Sequence, residues 1–97
     1  MHTPEWFEKR DICSYLDSID CWYFKPTTRG FGGSGIPDII ACWEGKFISI
    51  EVKRQGKEPT EIQWNRMHEI TAHGGIAFWG TAAKVINEIN TRFSHLK

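Results

Sequence analysis

Two apolar runs of β-forming residues, Asp38-Ile39-Ile40-Ala41-Cys42-Trp43 and Lys46-Phe47-Ile48-Ser49-Ile50-Glu51-Val52-Lys53, are separated only by Glu44-Gly45. Two such runs joined by two residues read as a β-hairpin, with glycine supplying the positive φ of a tight turn. If Glu44-Gly45 is the loop, Trp43 faces Lys46, and counting back along the ladder sets Asp38 directly opposite Glu51. Facing side chains of an antiparallel pair lie about 4.5–5.5 Å apart at Cβ, so two carboxylates share one small volume. Alternation puts Lys53 on the Glu51 face, with Ile48, Ile50 and Val52 on the other. The hairpin therefore calls for a buried sheet and delivers two acids and a base to its end.

The residues outside positions 38–53 supply the rest of one domain, since a 97-residue chain has room for a single core. Thr3-Pro4 is an N-cap and first helical position, and Ile12, Leu16 and Ile19 recur at helical spacing, which predicts a helix over 4–18. Cys21-Trp22-Tyr23-Phe24 is a short strand ended by Lys25-Pro26, and a glycine-rich loop over 27–35 follows. Thr60-Glu61-Ile62-Gln63 matches a capping box, Gln63, Met67 and Ile70 share a stripe, and Gly74-Gly75 stops that helix. A buried strand over 76–79 comes next, and Thr81 caps a last helix with Ala82, Val85, Ile86, Ile89 and Phe93 facing inward. The expected fold is α/β, a central mixed β-sheet flanked by helices in the order α-β-β-β-α-β-α.

Like charges facing each other across a ladder destabilise it and raise one pKa. A hard divalent cation is the natural compensation, because Mg²⁺ takes carboxylate oxygens, keeps several waters and bridges to phosphate. The ammonium of Lys53 then has a use: it orients or deprotonates a metal-activated water and offsets charge developing on a phosphate. Asp38, Glu51 and Lys53 together point to metal-assisted phosphodiester hydrolysis. The ordinary alternative, a strand start after Pro37 and a solvated strand end, leaves the facing acids uncompensated.

Twelve basic and twelve acidic residues cancel, which argues against polyanion binding through bulk charge alone. Between Lys25 and Lys57, however, six cations stand against three acids. Lys25 and Arg29 flank or enter the glycine loop and Arg54 and Lys57 follow the acidic strand; all four read as contacts to DNA phosphates, or else as solvated connectors. The odd count of three cysteines, without C-x-x-C, reads as small buried apolar residues, and the four histidines show no ligand spacing. The five tryptophans read as core or interface residues rather than base-stacking platforms. No run approaches the ~20 apolar residues of a membrane span, and the polar start lacks a leader's apolar core, so a cytoplasmic protein is expected.

Ile36-Pro37-Asp38 followed by Glu51-Val52-Lys53 resembles the PD-(D/E)xK nuclease signature. Gly35-Ile36-Pro37-Asp38-Ile39-Ile40, Ile50-Glu51-Val52-Lys53-Arg54, Gln63 and Gly74-Gly75 together are similar to the VRR-NUC (virus-type replication-repair nuclease) domain, over about residues 5–79. The resemblance implies a restriction-endonuclease-like core and an Mg²⁺- or Mn²⁺-dependent DNA endonuclease. It implies that Asp38, Glu51 and the Val52 backbone carbonyl ligate the metal, that Lys53 is the catalytic lysine, and that Gln63 points at the site. For Gln63 a plain capping role stands beside that one. The family's first-helix acid is Glu8 or Glu5. Glu8, which shares a stripe with Ile12 and Leu16, is preferred, acting on the metal directly or through water, whereas Glu5 suits the helix dipole. Stand-alone members resemble Holliday junction resolvases, which implies a homodimer, branched four-way DNA as substrate, and a bacterial or phage-encoded protein. Flaps, nicks or linear DNA, or a non-catalytic DNA-binding module, are the alternatives.

Overall fold

The computed structural model describes residues 1–27 and 35–94. Its elements run α1 (Pro4–Ser18), β1 (Trp22–Phe24), β2 (Ile39–Trp43), β3 (Lys46–Val52), α2 (Glu61–Ala72), β4 (Ile76–Gly80) and α3 (Ala82–Arg92). The four strands form one mixed sheet in the order β1-β2-β3-β4, antiparallel except for the parallel β3/β4 pair. The expected α/β order is thus present.

The hairpin has the register that its turn dictates: Trp43 pairs with Lys46 and Ile39 with Ile50. Glu44 and Gly45 both have positive φ, 52° and 77°, as a type I′ turn demands. Glutamate is an unusual occupant of the first of these positions, where asparagine, aspartate or glycine is favoured. β2 begins at Ile39, one residue later than the sequence reading, and β3 ends at Val52, one residue earlier. Asp38 and Lys53 therefore lie just off the strand ends, and the physical reason is visible for Asp38, whose Oδ2 accepts the Val52 N–H at 2.8 Å. A side-chain oxygen has taken the bond that a further ladder residue would have made.

The two faces of the sheet are covered unequally. Ile48, Ile50 and Val52 of β3 join Ile39, Ala41 and Phe78 in a core closed by Ile12 and Leu16 of α1 and Val85, Ile89 and Phe93 of α3. Helix α2 packs against the opposite face, where Gln63 meets Glu51 and Met67 is buried. The strand pair with helices on both sides is β3/β4, and residues 48–52 of β3 are all buried. Beyond α2 that second face is open, which is why Trp22, Phe24, Phe47 and Cys42 are exposed. One sequence expectation is corrected here: Cys42 is exposed rather than buried.

Helices α1 and α2 stop in the same way. In α1, Cys21 N–H reaches back to Leu16 O and Asp20 N–H to Asp17 O, with Asp20 at φ 56°. In α2, Gly75 N–H reaches Ile70 O and Gly74 N–H reaches Thr71 O, with Gly74 at φ 92°. Both are Schellman closures, one using the expected glycine and the other an aspartate.

The strained turn residue yields a prediction. Glu44→Asn keeps the turn and eases the positive φ, and should raise unfolding free energy by about 0.5–1 kcal/mol in urea titration. An unchanged or lowered midpoint would show that the turn carries no such strain.

Candidate active site

Strands β3 and β4 run parallel, so their carboxyl ends, Val52 and Gly80, lie at one edge of the sheet. Crevices at such edges are where open α/β sheets place ligands. Here the edge carries Asp38, Glu51 and Lys53, joined by Gln63 from α2.

Glu51 is only 4% exposed, on the face that α2 covers. Its Oε1 accepts a hydrogen bond from Gln63 Nε2 at 2.8 Å. The same Gln63 also completes a capping box: its Oε1 accepts the Thr60 N–H at 2.9 Å while Thr60 Oγ1 accepts the Gln63 N–H. The capping role and the site role, alternatives in the sequence, are held by one side chain, because an amide has separate donor and acceptor ends.

Burial, and after it the charge of Asp38 and a hydrogen bond to its carboxyl group, push Glu51 up from 4.5 to about 8; Lys53 opposes the rise and Glu5 adds to it. Burial and the neighbouring Asp38 charge keep Glu51 protonated to a higher pH than an ordinary carboxyl group. The facing acids inferred from the hairpin register are thus a real electrostatic conflict. Asp38 Oδ2 and Glu51 Oε1 are engaged by Val52 and Gln63, which leaves Asp38 Oδ1 and Glu51 Oε2 as the hard oxygen donors.

This donor set fits a divalent cation of the Mg²⁺ or Mn²⁺ type, with the Val52 carbonyl at the strand end as a further oxygen. Among the described residues no cluster of three or more His, Cys, Asp or Glu side chains gathers in a metal-binding arrangement. Mg²⁺ asks for no more than one or two carboxylates, with water and phosphate completing its shell.

The two first-helix acids differ in placement. Glu8 Oε1 accepts the Ala82 N–H at 2.8 Å, so it satisfies a free donor at the start of α3 and ties α1 to α3. Glu5 is the α1 carboxylate whose charge bears on Glu51. Of the four cations singled out in the sequence, Lys25 lines a cleft of about 390 Å³ with Trp6, Lys9, Arg10 and Tyr23. Arg54 and Lys57 line a separate cleft of about 460 Å³. Arg29 lies outside the described residues. Sequence reasoning missed Ser49, whose buried hydroxyl has no hydrogen-bond partner among the described residues, on the Glu51 face of β3. It also missed Lys84, which lines the cleft with Arg54 and Lys57. Neither carries a local motif.

No family model matches the sequence, and neither a curated protein nor a solved structure matches it. Fold and site define an α/β protein with a paired-carboxylate centre at the carboxyl edge of its parallel strands. Among the described residues no helix is long and apolar enough to cross a membrane.

The raised Glu51 pKa has a consequence for stability. The folded protein keeps a proton that the unfolded chain releases near pH 4.5, so this group's stabilisation is complete below that pH. It is lost as pH rises toward about 8. In EDTA, Glu51→Gln should remove this slope, and at pH 8 the variant should outlast the wild type in urea melts. Mn²⁺ should restore the wild type at pH 8 and leave Glu51→Gln unchanged. Parallel pH profiles for the two proteins would refute the raised Glu51 pKa.

Proposed function

We propose that the protein is a divalent-metal-dependent endonuclease that hydrolyses phosphodiester bonds in branched DNA. The observation that supports it most is the pairing of Asp38 with a buried, Gln63-bound Glu51 beside Lys53, a combination whose repulsion is relieved by a proton or by a bound cation. The likeness of Pro37-Asp38 and Glu51-Val52-Lys53 to the PD-(D/E)xK signature supports the same reading.

In this reading Asp38 and Glu51 would hold Mg²⁺ or Mn²⁺, which would supply an acidified water and charge neutralisation at the phosphate. Val52 contributes its carbonyl. Gln63 fixes the carboxylate plane of Glu51 from one side, and the Val52 N–H fixes Asp38 from the other, so both acids present their remaining oxygens without reorganisation. Lys53 orients the attacking water and offsets the charge that builds on the phosphoryl oxygens; the water oxygen bonds to phosphorus and gives up a proton to solvent as the P–O bond to the leaving sugar breaks, and the sugar oxygen takes up a proton from solvent. The supporting acid is Glu8, whose Oε1 accepts the Ala82 N–H just beyond Gly80, or Glu5, whose charge reaches Glu51. Lys25, Arg29, Arg54 and Lys57 contact the backbone phosphates. A junction with two-fold symmetry is cut by two active sites, so the working form is a homodimer, which also supplies binding surface that a neutral chain of this size lacks.

Cleavage of a labelled four-way junction, with flap and linear duplex controls, tests this directly. Paired symmetric cuts are expected with Mg²⁺ or Mn²⁺, none with EDTA, and a loss of at least about 100-fold for Lys53→Ala. Cuts confined to flaps or linear duplex would move the substrate and keep the chemistry. DNA binding without cutting under any metal would replace the enzyme by a non-catalytic binding module.

A further inference from the structure

The cleft of about 460 Å³ beyond the end of β3 contains Arg54, Lys57 and Lys84 against one acid, Glu58, with Trp79 and Gly80 in its wall. Lys84 is the cation whose position is built. Its ammonium donates to the Trp79 carbonyl at 2.7 Å and lies 3.9 Å from the centroid of the Trp79 ring. It also pairs with Glu88 at 3.2 Å, the two side chains being 38% and 40% exposed.

Gly80 makes this perch possible. Its φ is +133°, and a Cβ there would come within 2.7 Å of Lys84 Cδ, so the lysine stem lies across bare backbone. The Gly80 carbonyl in turn accepts the Lys53 N–H at 2.9 Å. The perch of Lys84 and the backbone of the candidate nuclease lysine are therefore joined through one residue.

An ammonium has three donors, and here the Trp79 carbonyl and Glu88 take two. The half-exposed pair with Glu88 is of the kind that contributes little and exchanges readily, so a phosphate oxygen can take the place of the Glu88 carboxylate. A partly desolvated ammonium held against Trp79 and flanked by two exposed cations is suited to a phosphate: a point charge at a defined position, with Arg54 and Lys57 reaching the remaining oxygens.

We propose that this cleft binds the phosphodiester adjoining the one held at Asp38 and Glu51, with Lys84 as its positioning cation. The proposal rests on the nuclease reading and deepens it: the scissile strand leaves the site across Gly80 and over the Lys84 ammonium.

The test is binding of a fluorescein-labelled duplex and a four-way junction by anisotropy, in EDTA so that nothing is cut, from about 50 to about 200 mM NaCl. Lys84→Gln should weaken binding about 5- to 10-fold and lower the salt slope by about one ion, while Lys84→Arg restores both. Gly80→Ala keeps every charge but displaces the stem of Lys84, and should also lose affinity, with circular dichroism melts confirming the fold. The exposed double substitution Arg54→Gln with Lys57→Gln should lower the slope by about two. Wild-type binding that Lys84→Gln and Gly80→Ala leave unchanged in affinity and slope would overturn the cleft while leaving the nuclease reading intact. A wild type that binds no DNA at the lowest salt would overturn both.

Discussion

The carboxyl group of Glu51, enclosed on the covered face of the central strand and set against Asp38, is the interaction around which the molecule is arranged. A strand buried on both sides tolerates apolar residues at no cost, and β3 has them at Ile48, Ile50 and Val52. Placing an acid in the same strand forfeits hydration that only protonation or a cation restores. The surrounding contacts all serve to hold that acid in place: Gln63 grips one oxygen, Asp38 grips the strand through the Val52 N–H, and Lys53 follows at the strand end.

Each helix begins with a residue tied to this edge. Helix α2 starts at the capping box whose Gln63 reaches Glu51, and α3 starts at Ala82, whose N–H is taken by Glu8. Helix α1 has Glu5 in its first turn, close enough for its charge to reach Glu51. Helix N-termini carry partial positive charge, so their gathering at an acid-rich edge lessens the repulsion there. The same edge receives Gly80, the end of β4, and through it the Lys84 cleft. Stability and site are linked at Gln63, which completes the α2 cap and binds Glu51.

Much of this was legible along the chain because it depends on near neighbours. The turn at Glu44-Gly45 determines the hairpin register, and the register alone brings Asp38 beside Glu51. Thr3, Thr60 and Thr81 each accept from a backbone N–H three residues on, as their spacing predicts. The inward stripe of α3 is buried at Val85, Ile89 and Phe93. What eluded the sequence was which sheet face each helix covers: the exposure of Trp22 and Cys42 follows from α2 leaving part of its face open. For Glu8, a helical stripe told that it faced inward, but not that it would meet Ala82, a residue 74 positions away.

The sequence by itself determined the elements, their order, the hairpin register and the paired acids, since hydrogen-bond spacing and side-chain alternation are local properties. Only the tertiary structure decided that Gln63 serves cap and carboxylate together, that Glu8 secures a helix while Glu5 bears on the site, and that Lys84 is perched over Gly80. Those outcomes depend on how α1, α2 and α3 dock on the sheet. Docking brings distant residues together through shape and burial, and no short stretch of chain encodes it alone.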